Sequence, residues 1–483
     1  MKTSILFSNF LDDLFLKDVV IFNSEEKKNI HLNYHFLSWE ENFTPAINKN
    51  AVFIDGLISL ENLKSIHQIN SFNSYPENDH YELAKKDFSR SIDRIFLLLK
   101  SIEYCNKYFY GLVNFWEEYL KKNEIRIVFF DSVPHTPWDI VLFHVSKLNQ
   151  IQTVIKRRTI YSNILLFSND FRSGKVSFFN MPKKFQDVIE DCVSDSSVIL
   201  RSKKINTTSL VNLGNKWLDI IQFIRKISLL ILNVRKEKKY FQLNKFEEIR
   251  FNLIRYKNRC KSIKLYKNIS SLPDFSKKYI YFPLHFRPER STVPEGGNYY
   301  DQITAIKKIS FYLPDDYLIY VKEHPRQLGD SSPDLRRLHQ DEVDLYIELL
   351  KLDNIRIIDI NINSEELIKN AKLIASITGS SVWEGITYKI PGITFGNTWH
   401  SEFIYSPDVS QERNFKDIMI HLLNLSPQDI YLKKEEFIAD LRTKLSLGAA
   451  FVGDATNDNY EYQVLIENYS HTISHLIRNH QIT

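Results

Sequence analysis

Apolar residues along this chain fall into two patterns. Some form short unbroken runs between polar loops, as in strands covered on both faces, and others recur every third or fourth position, as on the buried face of a helix. Ile125-Arg-Ile-Val-Phe-Phe130 is a run of the first kind. A polar loop from Ser132 to Asp139 follows it, then a helical stretch from Ile140 to Leu148 and a second run at Thr153–Ile155. That order predicts a βαβ unit whose loop carries Asp131, His135 and Asp139 at the carboxyl end of the strand. Upstream, Ser4–Phe7, Val19–Phe22 and Val52–Asp55 read as strands. Between Glu82 and Lys122, helical spacing runs through Ile92, Ile95, Phe96 and Leu99, then Phe109, Val113, Trp116 and Leu120, which predicts two helices with an aromatic core stripe.

The second half alternates with more regularity. Strands at Tyr279, Tyr317, Ile355–Ile358, Leu373 and Gly392–Phe395 are separated by helical stretches at Tyr300–Tyr312, Val343–Leu350, Ser364–Lys369 and Ser381–Tyr388. This is the pattern of a doubly wound parallel sheet. The tail from Asn414 to His480 reads as two or three helices. The implied division is a first Rossmann-like domain over 1–195, a helical connector over 196–272, a second Rossmann-like domain over 273–455 and a closing helix over 456–483, long enough to return to the first domain.

Composition agrees with this picture. A chain of 483 residues exceeds one ordinary core, and 43% hydrophobic with 25% charged residues is the balance of a globular protein. A net charge of +4 gives no global reason to expect nucleic acid as a partner. Cys105, Cys192 and Cys260 are far apart and form no metal-binding spacing, as expected of inert thiols in a reducing cytosol. The N-terminal apolar run meets Asp12 and Asp13 too early for a signal peptide, and Ile227–Val234 is too short to span a bilayer, so the expected location is the cytoplasm or the inner face of its membrane. Charge is uneven, however. Arg225 to Lys267 is dense in Lys and Arg, opposed only by Glu237, Glu247 and Glu248, and it fits either a solvated linker or a basic face that meets anionic lipid or glycan.

Three strand-end loops carry the candidate chemistry. The first contains His285, Arg287, Glu289 and Arg290 and continues to Gly296-Gly297, a loop with the glycines for close approach to a ligand. The second is Lys322-Glu323-His324-Pro325, a cation and a titratable donor before a rigid turn. The third is Thr378-Gly379-Ser380-Ser381, which opens a helix and can aim N–H groups and hydroxyls at a phosphate. Ser381 with Glu384 three residues on also matches a capping box, which accounts for the same residues structurally. Since open α/β sheets bind ligands outside the carboxyl ends of their strands, the three loops predict one nucleotide crevice. No D-x-D triad occurs in the chain, so the expected phosphate site uses cationic side chains and helix N-termini and no metal or other cofactor.

His285-Phe-Arg-Pro-Glu289, Asp301-Gln302, Leu313-Pro314, Val321-Lys-Glu-His-Pro325 and Thr378-Gly-Ser-Ser381 with Glu384 resemble, in order and spacing, the bacterial capsular polysaccharide synthesis family, which includes Kdo transferases. His324-Pro325 and Ser380-Ser381 are also similar to motifs with which bacterial sialyltransferases bind CMP. Where that family commonly has Gln-Pro-Glu, this chain has Arg287-Pro288-Glu289. The resemblance covers Tyr279 to Gly396 and, more weakly, Asp131–His135. It implies a GT-B fold, two Rossmann-like domains facing a central cleft, and transfer of an acidic sugar from a CMP donor to an oligosaccharide or glycolipid acceptor. Lys322, His324, Pro325, Thr378, Gly379, Ser380, Ser381 and Glu384 would then bind the nucleotide, and Arg287 and Arg290 the sugar carboxylate. A transferase using a UDP- or GDP-sugar and a non-catalytic glycan-binding subunit of a capsule-assembly complex fit the same residues.

Glycosyl transfer needs a base or nucleophile near the anomeric carbon. Asp131 leads on its position at a first-domain strand end, with His135 on the same loop; Asp139 reads as a helix cap. Glu289 is the rival, with Arg287 and Arg290 expected to hold it in a salt bridge and weaken it as a base.

Overall fold

The computed structural model of the protein describes residues 3–8, 32–38, 51–55, 79–92, 101–161, 163–171, 178–181, 245–287, 289–329, 340–401, 415–448 and 462–479. The predicted strand at Val19–Phe22 and the Arg225–Asn244 part of the basic stretch lie outside them. The described residues divide into two compact units. The first takes the amino-terminal part and resumes at Glu435, and the second ends at Lys434.

The first unit is built on a sheet of strands β1 (Thr3–Ser8), β2 (Leu32–Ser38), β3 (Ala51–Asp55), β4 (Ile125–Phe130), β5 (Gln152–Arg158) and β6 (Ile164–Ser168), closed by the short strand β12 (Ser446–Leu447). Its order is β12-β6-β5-β4-β1-β2-β3, and the five strands from β5 to β3 run parallel. The helices Ile102–Lys122 and Pro137–Leu148 cover it, and each is shaped by its sequence. Ser101 caps the first by accepting from the Tyr104 N–H, and Pro137 sits in the first turn of the second, where no N–H is required. Trp116 is buried between them with its Nε1 donating to the Trp138 carbonyl at 3.2 Å.

The second unit repeats the plan. Its strands β7 (Lys278–Pro283), β8 (Tyr317–Lys322), β9 (Ile355–Ile358), β10 (Leu373–Ser376) and β11 (Gly392–Thr394) form an all-parallel sheet ordered β11-β10-β7-β8-β9. Their near-continuous apolar runs, Ile280, Phe282, Ile319, Val321, Ile374 and Ala375 among them, are buried on both faces, as parallel sheets require. In both units the first strand lies beside the fourth, so each sheet has the strand-order reversal at which Rossmann-like folds open a crevice. The fold is therefore α/β with two Rossmann-like units, as the residue pattern predicts.

Two boundaries need correction. Residues 435–448 belong to the first unit and not the second, because β12 pairs antiparallel with β6 and the chain crosses over inside the helix Pro427–Arg442. The described part of the basic stretch is no free connector. It is the helix Lys245–Ile269, whose Ile263 and Tyr266 enter the second core while Arg259 donates to the Leu328 carbonyl at 3.0 Å. Strands β2 and β6 were not foreseen from the pattern.

The last described helix, Tyr462–Asn479, packs on the first sheet, with Tyr469 fully buried and stacked on Phe167 at 5.9 Å between ring centroids. Tyr469→Ala is expected to destabilise the first unit by about 3 kcal/mol, as for other buried aromatics. Urea unfolding, followed by fluorescence, measures the shift; a change under about 0.5 kcal/mol, the size of a surface substitution, contradicts this packing.

Candidate functional site

Beyond β7 the Leu284 N–H still donates to the Lys322 carbonyl of β8 at 2.8 Å, and past it two glutamine side chains take over the backbone groups. The His285 N–H donates to Gln302 Oε1 at 2.7 Å and the Arg287 N–H to Gln327 Oε1 at 2.9 Å. Each amide returns a longer contact to the same residue's carbonyl, 3.5 Å from Gln302 to His285 and 3.3 Å from Gln327 to Arg287. Both glutamines are buried, so the loop backbone is held where water could not satisfy it.

The loop thereby delivers the His285 ring to the end of β10. Its Nε2 lies 3.0 Å from Ser376 Oγ and 3.2 Å from the Thr378 amide nitrogen. An amide N–H can only donate, so Nε2 accepts and the neutral ring carries its proton on Nδ1. Burial pushes this imidazole down to about 4, opposed by Glu289 and assisted by His324 and Arg287. Ser376 Oγ accepts in turn from the Gly379 N–H at 3.2 Å. Only glycine fits there, since a Cβ would stand 2.5 Å from that hydroxyl. Gly379 is also the residue that opens the helix Ser380–Thr387.

Neighbouring loops close on the same point. Thr378 Oγ1 donates to the Ser291 carbonyl at 2.9 Å, and Asn397 N–H to the Glu295 carbonyl at 2.8 Å. A Cβ on Gly396 would meet the Glu295 oxygen at 2.6 Å and the Gly296 Cα at 3.0 Å. Gly296 thus packs tightly on its own protein's backbone, a correction to the expectation that it makes room for a ligand, whereas Gly297, at φ +53°, has open space where a Cβ would stand.

A second cluster lies at the end of β8. Glu323 is fully buried and accepts from Arg287 Nη2 at 2.9 Å, from the Tyr346 hydroxyl at 2.8 Å and from the His324 N–H at 2.8 Å. Burial pushes its carboxyl up, against the pull of Arg287 and these hydrogen bonds. His324 Nδ1 accepts from the Arg326 N–H at 3.2 Å, and its ring lies 5.5 Å from that of Phe286.

Several expected roles do not match these partners. Lys322 turns away from the loops, donating to the Ile362 carbonyl and, at 2.8 Å, to Ser364 Oγ; burial lowers it to about 8. Ser381 forms no capping box, because the cap is Gly379 and Glu384 instead accepts from Ser380 at 3.4 Å. Ser381 Oγ is buried without a partner. Arg287 and Arg290 pair with Glu323 and Glu295, the latter at 3.3 Å, and not with Glu289. Glu289 is exposed and accepts from Ser291 Oγ at 3.0 Å. Pro288 lies outside the described residues, and Pro325 starts the short helix Pro325–Gly329.

In the first unit, Asp131 is ion-paired with Lys156, whose side chain is buried and also lies over the Tyr469 ring. His135 Nδ1 donates to the Val133 carbonyl at 2.8 Å, which fixes its tautomer. Asp139 is fully buried and accepts from Thr136 and, at 2.6 Å, from Ser8 at the end of β1. It is not the expected helix cap, since Thr136 holds the cap position and no side chain caps a backbone N–H there; its carboxylate instead ties the first turn of the helix to the central strand. Sequence reasoning gave no role to His285, Ser376, Gln327 or Tyr346. His285 stood in a quoted motif, whereas the partners of the other three exist only in the folded chain.

No protein-family profile matches the chain, and no curated protein does. Among solved structures it is similar to a β-Kdo 2,7-transferase, KpsC of Thermosulfurimonas dismutans, at 12% identity and a TM-score of 0.31, covering 73% of this chain and 88% of that one. It is also similar to the UDP-GlcNAc 2-epimerase of Methanocaldococcus jannaschii, at 15% identity, TM-score 0.25 and coverages of 88% and 94%. A third is the wall teichoic acid polymerase TagF, at 11%, 0.24, 90% and 84%.

The neutral His285 has a measurable signature. Its pKa is depressed in the folded chain, so its contribution is intact above about pH 6.5 and is lost as pH falls toward about 4, when only the unfolded chain takes up the proton. His285→Gln, which can still accept from Thr378, is expected to flatten the fall of stability between those values, recovering about 2–3 kcal/mol of pH dependence. Urea unfolding at several pH values tests it, with buried His400, lowered to about 3, contributing equally to both proteins. Identical pH slopes would mean that the ring is protonated in place.

Proposed function

We propose that the protein is a glycosyltransferase that moves an acidic sugar, Kdo or another nonulosonic acid, from a CMP-activated donor to a surface glycan acceptor. The observation that carries this reading is the meeting of His285, Ser376 and the amino end of the Ser380–Thr387 helix at the strand-order reversal of the second sheet. Helix N–H groups with the exposed Ser380 offer a phosphate the donors it needs, and His324 adds a titratable one. Arg287, oriented by Glu323, and Arg290 would meet the sugar's carboxylate in their planar fork. Lys322 is left out of this assignment, since its ammonium serves the Ile362–Ser364 turn. Donor binding in this reading requires no divalent metal, the charge being met by protein groups.

For the acceptor proton, the pairing pattern changes the order of the two carboxylates. Asp131 is engaged by the buried Lys156, the kind of clamp the sequence assigned to Glu289. Glu289, free of its expected arginine clamp, is the first candidate for the base, and the Asp131–His135 loop the second.

Titration calorimetry with CMP, UDP and GDP in EDTA tests the donor. CMP is expected to bind best, and His324→Ala to weaken it by about 1.5–3 kcal/mol, the range for a hydrogen bond to a charged group. Unaltered CMP affinity in that variant removes His324 from the site, and tighter UDP or GDP binding replaces the donor. Turnover then separates the carboxylates: Glu289→Gln is expected to lose several orders of magnitude while still binding CMP, and if Asp131→Asn is the one that does so, the base lies in the first unit.

A further inference from the structure

The helix Lys245–Ile269 has one face inside the second core and another whose described side chains are exposed. Asn258, Ser262, Ile263 and Tyr266 are buried. At about 100° per residue, Phe246, Arg250, Leu253, Lys257, Lys261 and Lys264 fall within an arc of about 80° on the far side, along an axis of about 37 Å. All six are exposed, Phe246 at 84% and Leu253 at 51%. Among the described residues, none of the four cations in that arc is in an ion pair. Between Ile249 and Ser270 the chain carries seven Lys and Arg and no carboxylate.

We propose that this face docks on an anionic lipid bilayer, with the cations against headgroup phosphates and Phe246 and Leu253 entering the acyl boundary. Two features select a bilayer over a soluble polyanion. An acidic polysaccharide would match the charge, but it offers nothing to apolar side chains that stand in the same line as the cations at one end of the helix. A bilayer presents negative charge and apolar depth together. Nor is the helix a membrane span: no helix among the described residues is long and apolar enough to cross. The contact is peripheral, weakened by salt, and fixed to the rigid second unit through the Ile263 and Tyr266 side.

The test uses the full chain without nucleotide, so that its result is independent of the donor reading. Co-sedimentation is measured with vesicles of phosphatidylcholine alone and of phosphatidylcholine with about 30% phosphatidylglycerol, a composition in which each nearby basic residue adds to binding. Binding is expected only to the anionic vesicles and should fall as salt rises through the range where the Debye length drops below about 10 Å. Combined Lys257→Glu, Lys261→Glu and Lys264→Glu should lower partitioning at least about tenfold, and Lys→Gln at the same positions by less, these being surface changes whose melting curves stay at wild type. Combined Phe246→Ser and Leu253→Ser should lower it several-fold and leave retention on a soluble acidic polysaccharide unchanged. Failure of the wild type to sediment with anionic vesicles at low salt, or indifference of either variant set, overturns the proposal. Binding to the polysaccharide without binding to vesicles overturns it in favour of a glycan surface.

Discussion

The hydrogen bond from the Thr378 N–H to Nε2 of His285 spans the place where the order of the second sheet reverses, and most of the site follows from it. An amide that donates there requires an imidazole that accepts, and the part-buried ring is neutral because desolvation disfavours its charged form. Gln302 and Gln327 hold the backbone on either side of Phe286 and so position the ring. Ser376 can approach only because residue 379 lacks a side chain. Each element is weak alone, but together they fix the backbone at the start of the Ser380–Thr387 helix before any ligand arrives.

A different logic governs the end of β8. Three consecutive residues, Lys322, Glu323 and His324, read in sequence as one cluster of charge, yet the pleat sends successive side chains to opposite faces. Lys322 goes to the Ile362–Ser364 turn, whereas Glu323 enters the core with Tyr346 and Arg287. A buried carboxylate is costly unless it is paired and hydrogen-bonded, and this one is both. Its role is therefore to orient Arg287, and Glu289 is left with only a serine.

The fold was legible where burial is two-sided, because the runs at Tyr279, Tyr317 and Leu373 have no competing helical period. Strand β2 was missed because Leu32-Asn-Tyr-His-Phe-Leu-Ser38 mixes polar and apolar residues, and β12 because two residues, Ser446 and Leu447, carry no period at all. Site residues were legible as types near strand ends. Their partners were not, since a pairing such as Arg287 with Glu323, or Asp131 with Lys156, joins positions brought together by strand register alone. Local adjacency pointed instead to Arg287, Glu289 and Arg290, the arrangement that the folded chain does not adopt.

The chain's return to its first sheet also imposes an order of events during synthesis. β12 and the helix carrying Tyr469 leave the ribosome only after the whole second unit, although they cover Phe167 and Lys156 near the start of the chain. Apart from 93–96, the second unit is one stretch, 200–434, and can close as soon as it emerges, whereas the first waits with an open edge at β6. An unpaired edge is a template for pairing with another chain, and domains that are completed late stay exposed to it longest. For this protein the vulnerable interval in biogenesis is set by the main stretch of the second unit, residues 200–434, which is translated between Lys156 and its cover.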